Sequence, residues 1–334
     1  MGARDRPTIV VAMGAEEERL VLPPDVRTRL ALCGTVATGL GELHRADVLL
    51  TGWGCPPLTD ELLERAGRLR LVVHAAGSVK WLLPGSGSGS GSWWDRGVTV
   101  TTAADANAEP VADFAYGAVL LALKQALGTA AVYASRGGEA GRPGFLERHG
   151  ADGAVVGVVG ASRVGRRLIA RLRTGRLRIL LHDPYVSVPE AAQRLGAERV
   201  GLDELCARSS VVTLHAPELP ETRHMLNAGR LALIQDGGTV INTARGSLVD
   251  TDALVQECAA GRLAAFLDVT DPEPLPQGHP LLGLPNVLVT PHIAGAQGSE
   301  VRRLGVYAVE EIERWVRGLP LRGRVEKYDL GRLA

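Results

Sequence analysis

The chain has 334 residues, 46% apolar but only 4% aromatic, and its 37 basic and 37 acidic side chains cancel. That length accommodates two domains, each with its own core, and the charge balance gives no reason to expect a nucleic-acid or anionic-membrane partner. Cys33, Cys55, Cys206 and Cys258 lack the paired spacing of zinc sites or redox dithiols, so buried reduced thiols and no metal site are expected. The opening residues 1–14 carry charge before a short apolar run, and no apolar stretch approaches the roughly 20 residues that span a bilayer. The expectation is a soluble, cytoplasmic protein.

In chain order, a β-branched run predicts a strand over residues 8–12 and a helix over 25–32. A strand over 47–50 opens into the loop 51–57, and Thr59 is expected to cap a helix over 61–65. A strand over 69–74 runs into Ala75, Ala76, Gly77, Ser78, Val79 and Lys80. This alternation describes a first, smaller α/β domain. The glycine-serine tract over 85–92 has nothing to bury and predicts flexible coil without a catalytic role. Trp81, Trp93 and Trp94 flank it, and at least two of them are expected in the core. After a strand over 98–102, the residues Asn107, Glu109 and Pro110 should begin a helix running through 126, with Pro110 in its first turn. That helix is apolar over most of its circumference, so burial on more than one side is expected, as a second subunit would provide. Residues 137–150 read as a glycine-rich loop.

Residues 155–165, VVGVVGASRVG, organise the second half of the chain. An unbroken β-branched run suits a strand buried on both faces of a parallel sheet. The chain turns on Gly160 and enters a helix with apolar positions at Leu168, Ile169 and Leu172, the order that a dinucleotide-binding loop requires. Gly160 allows the tight turn, Gly165 lets helix and strand approach, and the N–H groups at the helix start would face a pyrophosphate. Ser162 stands where the middle glycine of such a loop is expected; its hydroxyl can donate to a phosphate oxygen. The same pattern fits an ordinary strand, turn and helix, and the next strand weighs against that. Residues 178–182 end at Asp183, roughly 20 residues past the turn, where a carboxylate accepts both ribose hydroxyls of NAD and repels the 2′-phosphate of NADP. NAD, in its reduced form NADH for the reductive direction, is the expected cofactor.

Further strands are predicted over 211–215, 239–242, 265–269 and 287–290, and helices over 228–233 and 252–260. They complete a doubly wound parallel sheet whose ligands should bind at the carboxyl ends of the strands. A last helix over 300–317 carries Val301, Leu304, Ala308, Ile312 and Trp315 on one stripe and is expected to return to the first domain. The expected architecture is therefore a Rossmann-type domain over 106–296 and a smaller, discontinuous, flavodoxin-like α/β substrate domain over 1–105 and 297–334.

Three carboxyl-end loops carry polar clusters: Thr243-Ala244-Arg245-Gly246, Asp268 through Pro274, and Pro291-His292-Ile293-Ala294-Gly295. An imidazole with a pKa near neutrality can give a proton to a ketone oxygen as hydride reaches its carbon, the role expected of His292. A guanidinium binds a carboxylate through two parallel hydrogen bonds, the role expected of Arg245. Glu273 or Asp271 would orient the imidazole from its other nitrogen. His215 reads as structural or cofactor-adjacent. Lys80, beside the substrate loop, reads equally as a solvated lysine or as a partner for a second anionic group.

These three segments, INTARGSLVD over 241–250, LDVTDPEPLP over 267–276 and TPHIAG over 290–295, resemble the D-isomer-specific 2-hydroxyacid dehydrogenases, in the right order and over nearly the whole chain. The resemblance implies a catalytic trio of Arg245, Glu273 and His292, deciding for Glu273 over Asp271. It implies a cofactor site drawn from Gly160, Ser162, Arg163, Val164, Asp183, His215, Thr243, Ala244, Asp268 and Ala294, with Thr243 and Asp268 beside the nicotinamide. It places a substrate carboxylate on the N–H groups of Ala76, Gly77, Ser78 and Val79, and implies a homodimer formed through the cofactor domains. Thr270 and Asp271 depart from the aromatic residue and glutamate usual in that family. The expected function is NAD-dependent interconversion of a small 2-oxo acid and a D-2-hydroxy acid. The alternatives are a dinucleotide-sensing corepressor, or an enzyme of the same fold acting on formate or phosphite.

Overall fold

The computed structural model describes residues 6–83, 93–137 and 150–332. The glycine-serine tract over 85–92 and most of the loop over 137–150 lie outside them. The chain divides into two compact units, Met1–Ala108 with Ala296–Leu333, and Glu109–Gly295.

In the first unit, β1 (Thr8–Ala12), β2 (Thr35–Thr38), β3 (Val48–Thr51), β4 (Leu71–His74) and β5 (Thr99–Thr102) form a parallel sheet in the order β5-β4-β3-β1-β2. This is the flavodoxin-like order. The two-residue strand Arg324–Val325 adds to β5 in antiparallel fashion. Strands β3 and β4 are buried at every position, as a parallel sheet covered on both faces requires. The helix Val301–Val316 belongs to this unit and buries Val301, Leu304, Ala308 and Ile312; Trp315 is partly buried on the same core.

Several local expectations shift here. β2 went unpredicted because its TVAT sequence lacks an apolar alternation and it lies at a sheet edge, where no position is fully buried. Thr59 precedes the helix Asp60–Arg65 but caps no backbone N–H; its hydroxyl donates to the Glu61 carboxylate at 2.6 Å instead. Trp93 is buried, Trp94 is partly buried with Nε1 donating to Val325 O at 2.8 Å, and Trp81 is largely exposed.

The long helix begins at Ala104, not near Pro110, and Pro110 lies inside it. Thr102 Oγ1 accepts from Ala104 N at 2.9 Å, capping the helix earlier than proline preference suggested. It stops at Leu123, and Gln125, left-handed at φ 49°, separates it from a second helix, Ala126–Arg136. Ala112, Ala115, Ala118, Val119 and Ala122 are buried, while Leu120 and Leu121 are exposed, so one side of this helix is open within the single chain. Among the described residues no single helix is long and apolar enough to cross a membrane; these two pass such a test only together, bent by 58°.

The second unit contains β6 (Val155–Val159), β7 (Arg178–His182), β8 (Glu198–Arg199), β9 (Val211–Leu214), β10 (Thr239–Asn242), β11 (Ala264–Leu267) and β12 (Val287–Val289). All pair in parallel, in the order β12-β11-β10-β9-β6-β7-β8. This doubly wound arrangement reverses direction between β6 and β9. Val156 and Val158 enter one core cluster and Val159 the other, the alternation of a strand covered on both faces. β8, only two residues long and exposed, offered no periodicity to detect.

Candidate active site

The glycine turn is built as its residues require. Gly160 has φ +95°, and a Cβ there would meet the backbone of His215 and Ala216 at 2.8 Å; a Cβ on Gly165 would meet Gly160 O at 2.0 Å. Only glycine fits either position. Ser162 caps the helix Arg163–Leu172, accepting from Gly165 N at 3.3 Å. The hydroxyl accepts there, so its proton stays available to a phosphate oxygen. Asp183 accepts from Ala161 N at 2.7 Å and from Tyr185 N at 2.8 Å, which ties the acid to the turn.

Outside the carboxyl ends of β6, β7 and β9 lies a cavity of about 450 Å³ lined by Gly160, Asp183, Tyr185, Leu202, Pro217 and Met225, among others. It sits at the point where the strand order reverses, the place where an open α/β sheet binds its ligand. A mostly apolar slot with Asp183 at the glycine turn, and with Asp203, Glu204, Glu221 and Arg230 also on its lining, fits the adenosine half of NAD(H). Sequence reasoning found Gly160 and Asp183 but missed Leu202, Leu219, Thr222 and Met225. These come from the segments after β8 and β9, and only the local turn signal of Pro220 was legible there.

His215 is not a donor into this site. It is buried, its Nε2 lies 2.9 Å from Thr213 Oγ1, and burial pushes its pKa down to about 3. The neutral ring packs behind the turn, with its Cβ 3.5 Å from the position of a Cβ on Gly165. The ring is thus packed against the glycine turn, with its side chain outside the cavity lining.

At the ends of β10, β11 and β12 stand the three polar loops. Gly246 is a close approach: a Cβ there would lie 2.0 Å from Thr270 C and O, so the Arg245 turn and the 268–274 loop pack backbone to backbone. Asn242 locks the turn, with Nδ2 donating to Arg245 O at 2.8 Å and Oδ1 accepting from Ala244 N at 3.0 Å. Arg245 is half-buried and its Nη1 donates to Ala244 O at 2.6 Å. Burial pulls the guanidinium below its ordinary value, opposed by the charges of Glu218 and Glu273.

Asp268 is buried and accepts from Thr290 Oγ1 at 2.6 Å, Ile293 N at 2.8 Å and Ala294 N at 2.9 Å. Those three bonds fix the loop on which His292 sits with φ 55°. His292 Nδ1 is 2.7 Å from Glu273 Oε1, and both side chains are half exposed. Asp271 turns elsewhere: its carboxylate pairs with Arg223 at 3.4 Å and its carbonyl accepts from Thr251 Oγ1 at 2.8 Å. The geometry brings Glu273, not Asp271, to the imidazole.

Of the remaining expected cofactor positions, Ala244 and Asp268 are buried with their polar groups committed to local bonds, while Thr243 Oγ1 is buried without a hydrogen-bond partner. Arg163 and Val164 open the helix after the turn and do not line the cavity. In the first unit, Ala76, Gly77, Ser78 and Val79 follow β4. Their N–H groups donate to no acceptor among the described residues, apart from the Ser78 hydroxyl accepting from Lys80 N at 3.4 Å nearby. All four cysteines are free and buried, and the described residues contain no His, Cys, Asp and Glu cluster suited to a metal.

A doubly wound sheet with a glycine turn, an acid at the next strand end and a cavity at the switch point defines an NAD(H)-binding oxidoreductase domain. Residues 118–294 match the family model described as D-isomer specific 2-hydroxyacid dehydrogenase, NAD binding domain. The D-3-phosphoglycerate dehydrogenase of Methanocaldococcus jannaschii is 32% identical over 293 residues, covering 85% of this chain and 53% of that protein. Formate dehydrogenase 2, mitochondrial, of Oryza sativa subsp. japonica is 31% identical over 282 residues, covering 83% of this chain and 72% of its own. The crystal structure of TT0316 protein from Thermus thermophilus is 31% identical, covers 96% of this chain and 100% of its own, and superposes with a TM-score of 0.74. The chain belongs to the D-isomer-specific 2-hydroxyacid dehydrogenase family. It spans about half the length of the phosphoglycerate dehydrogenases it matches, 53% in the case of the M. jannaschii protein.

Proposed function

We propose that the chain reduces a small 2-oxo acid to the D-2-hydroxy acid with NADH, and runs the reverse reaction with NAD. The observation that carries this reading is the His292–Glu273 pair, 2.7 Å apart, one loop from the Arg245 guanidinium. NADH supplies the hydride when bound, and one proton completes the balance: oxo acid, NADH and a proton give hydroxy acid and NAD. His292 holds that proton on Nε2, because Glu273 occupies Nδ1 and fixes the tautomer. Arg245 takes the substrate carboxylate in a bidentate bond and draws charge from the adjoining carbonyl.

A formate-type activity is the second reading, favoured by the similarity to the rice enzyme. Formate loses hydride to become carbon dioxide with no proton transfer to or from its carbon or oxygens, so an imidazole–carboxylate pair has no work in it. The pair therefore favours the oxo acid. The corepressor alternative finds no support in the relatives. The open face formed by Leu120, Leu121, Val132 and Tyr133 supports a homodimer through the cofactor domains, which light scattering on Leu121→Glu would test by loss of the dimer mass.

The deciding experiment is NADH oxidation with glyoxylate, hydroxypyruvate, phenylpyruvate and phosphonopyruvate, beside NAD reduction with formate and phosphite. Turnover of at least one oxo acid is expected. Activity with formate or phosphite alone would replace this reading, and tight NADH binding without any turnover would return the sensor.

A further inference from the structure

The strand order β6-β7-β8 sets the direction in which a dinucleotide runs along this sheet edge. With the pyrophosphate on the turn at Gly160 and the ribose on Asp183 at the end of β7, the base falls at the next wall of the cavity. That wall is supplied by Gly201, Leu202, Asp203 and Glu204 after β8 and by Arg230 of the helix Ala228–Leu233. Arg230 Nε donates to Asp203 Oδ1 at 2.7 Å and its Nη1 to Met225 O at 2.9 Å, so the guanidinium is held from two sides. Asp203 Oδ2 and Arg230 Nη2 make no hydrogen bond among the described residues, and both side chains border the cavity. The pair therefore offers an acceptor and a donor next to each other. Glu204 on the same wall is paired with Arg208, and Glu221, also on the lining, forms no ion pair among the described residues.

We propose that the Asp203–Arg230 pair reads the adenine base of the cofactor: Asp203 Oδ2 accepts from the exocyclic N6 amine and Arg230 Nη2 donates to N7, the donor and the acceptor that adenine carries on one edge. This rests on NAD(H) as the cofactor and is independent of the oxo-acid reading. Hypoxanthine has a carbonyl oxygen where adenine has the amine, so it sets one acceptor against another and leaves the carboxylate without a donor. In the competing role the pair only ties the segment after β8 to the helix Ala228–Leu233. With the Asp203 side chain 69% exposed, such an ion pair contributes little to stability, and it predicts no preference between bases that depends on Asp203.

The test titrates NADH and its hypoxanthine analogue, reduced nicotinamide hypoxanthine dinucleotide, into the wild type, Asp203→Ala, Asp203→Asn, Arg230→Met and Asp183→Ala, with binding followed by nucleotide fluorescence. The wild type is expected to bind NADH about tenfold more tightly than the analogue, the worth of one hydrogen bond to a charged group. Asp203→Ala should lose about tenfold in NADH affinity and change little toward the analogue, so that the preference disappears. Asp203→Asn, whose amide can turn a donor or an acceptor to the base, should gain affinity for the analogue. Arg230→Met should weaken both nucleotides because N7 is common to the two bases, and Asp183→Ala should weaken both because they share the ribose. Equal affinity of the wild type for the two nucleotides, a loss in Asp203→Ala that is the same for both, or unchanged binding in Asp203→Ala or Arg230→Met would each overturn the proposal while leaving the cofactor and the oxo-acid reading intact. A wild type that binds neither nucleotide overturns the cofactor with it.

Discussion

The end of β9 and the end of β12 each present a histidine at the carboxyl edge of one sheet, and the two rings are prepared for opposite uses. His215 is buried, bonded to the Thr213 hydroxyl and held neutral, its pKa pushed down to about 3. His292 stands half exposed on a loop fixed from beneath by Asp268, with the Glu273 carboxylate on Nδ1. Position at a strand end does not by itself make a proton carrier. On the proposed reading, what suits His292 to that role is its exposure together with the carboxylate on its second nitrogen. A neutral buried ring can instead pack against a turn whose glycines leave no other room.

Removing the ring at the end of β12 should have the largest effect. His292→Ala is expected to lower kcat by about 10²–10⁴-fold while NADH binding, followed by nucleotide fluorescence, stays unchanged; retained turnover would remove His292 as the acid. Next comes the scaffold that brings its partner into place. Gly246→Ala puts a methyl group 2.0 Å from Thr270 C and O, so the two loops must separate. A stability loss of about 1–3 kcal/mol by denaturant titration is expected from such overpacking, with a fall in kcat larger than any change in NADH affinity. A variant of full stability and activity would show that the loops are not held by this contact. Asp183→Ala is smaller in scope: it removes the acid from the cavity and should move the ratio of kcat/KM values toward NADPH, with an unchanged ratio counting against a ribose role.

The inner strands of the second unit, β6, β9, β10 and β11, were legible because they are buried on both faces and read as unbroken apolar runs, and the turn was legible because Gly160 and Asp183 stand at a spacing that the cofactor imposes. The His292–Glu273 pair was not decided by spacing. Asp271 and Glu273 are two residues apart, and only the path of the loop, with Arg223 and Thr251 holding Asp271, sends one of them to the imidazole. The hydrogen bond between Glu218 and Ser247 carried no signal, since the two lie 29 residues apart and meet only once β9 and β10 are neighbours. Pro110 misled because a local preference for the first turn was overridden by the Thr102 cap.

The buried ring at the end of β9 also bears on stability. An unfolded histidine titrates near 6.5, whereas His215 in the folded chain stays neutral down to about 3. Between those values the unfolded chain binds a proton that the native one refuses, so the contribution of this residue is complete above pH 6.5 and is lost progressively as pH falls toward 3. His74, buried at the end of β4 with Nδ1 3.0 Å from Thr51 Oγ1 and its pKa pushed down to about 4, acts in the same direction. The unfolding temperature is therefore expected to drop between pH 7 and pH 5, and His215→Gln, though less stable at pH 7, should show a shallower drop. A drop in His215→Gln as steep as in the wild type would show that burial of this ring does not carry the pH dependence.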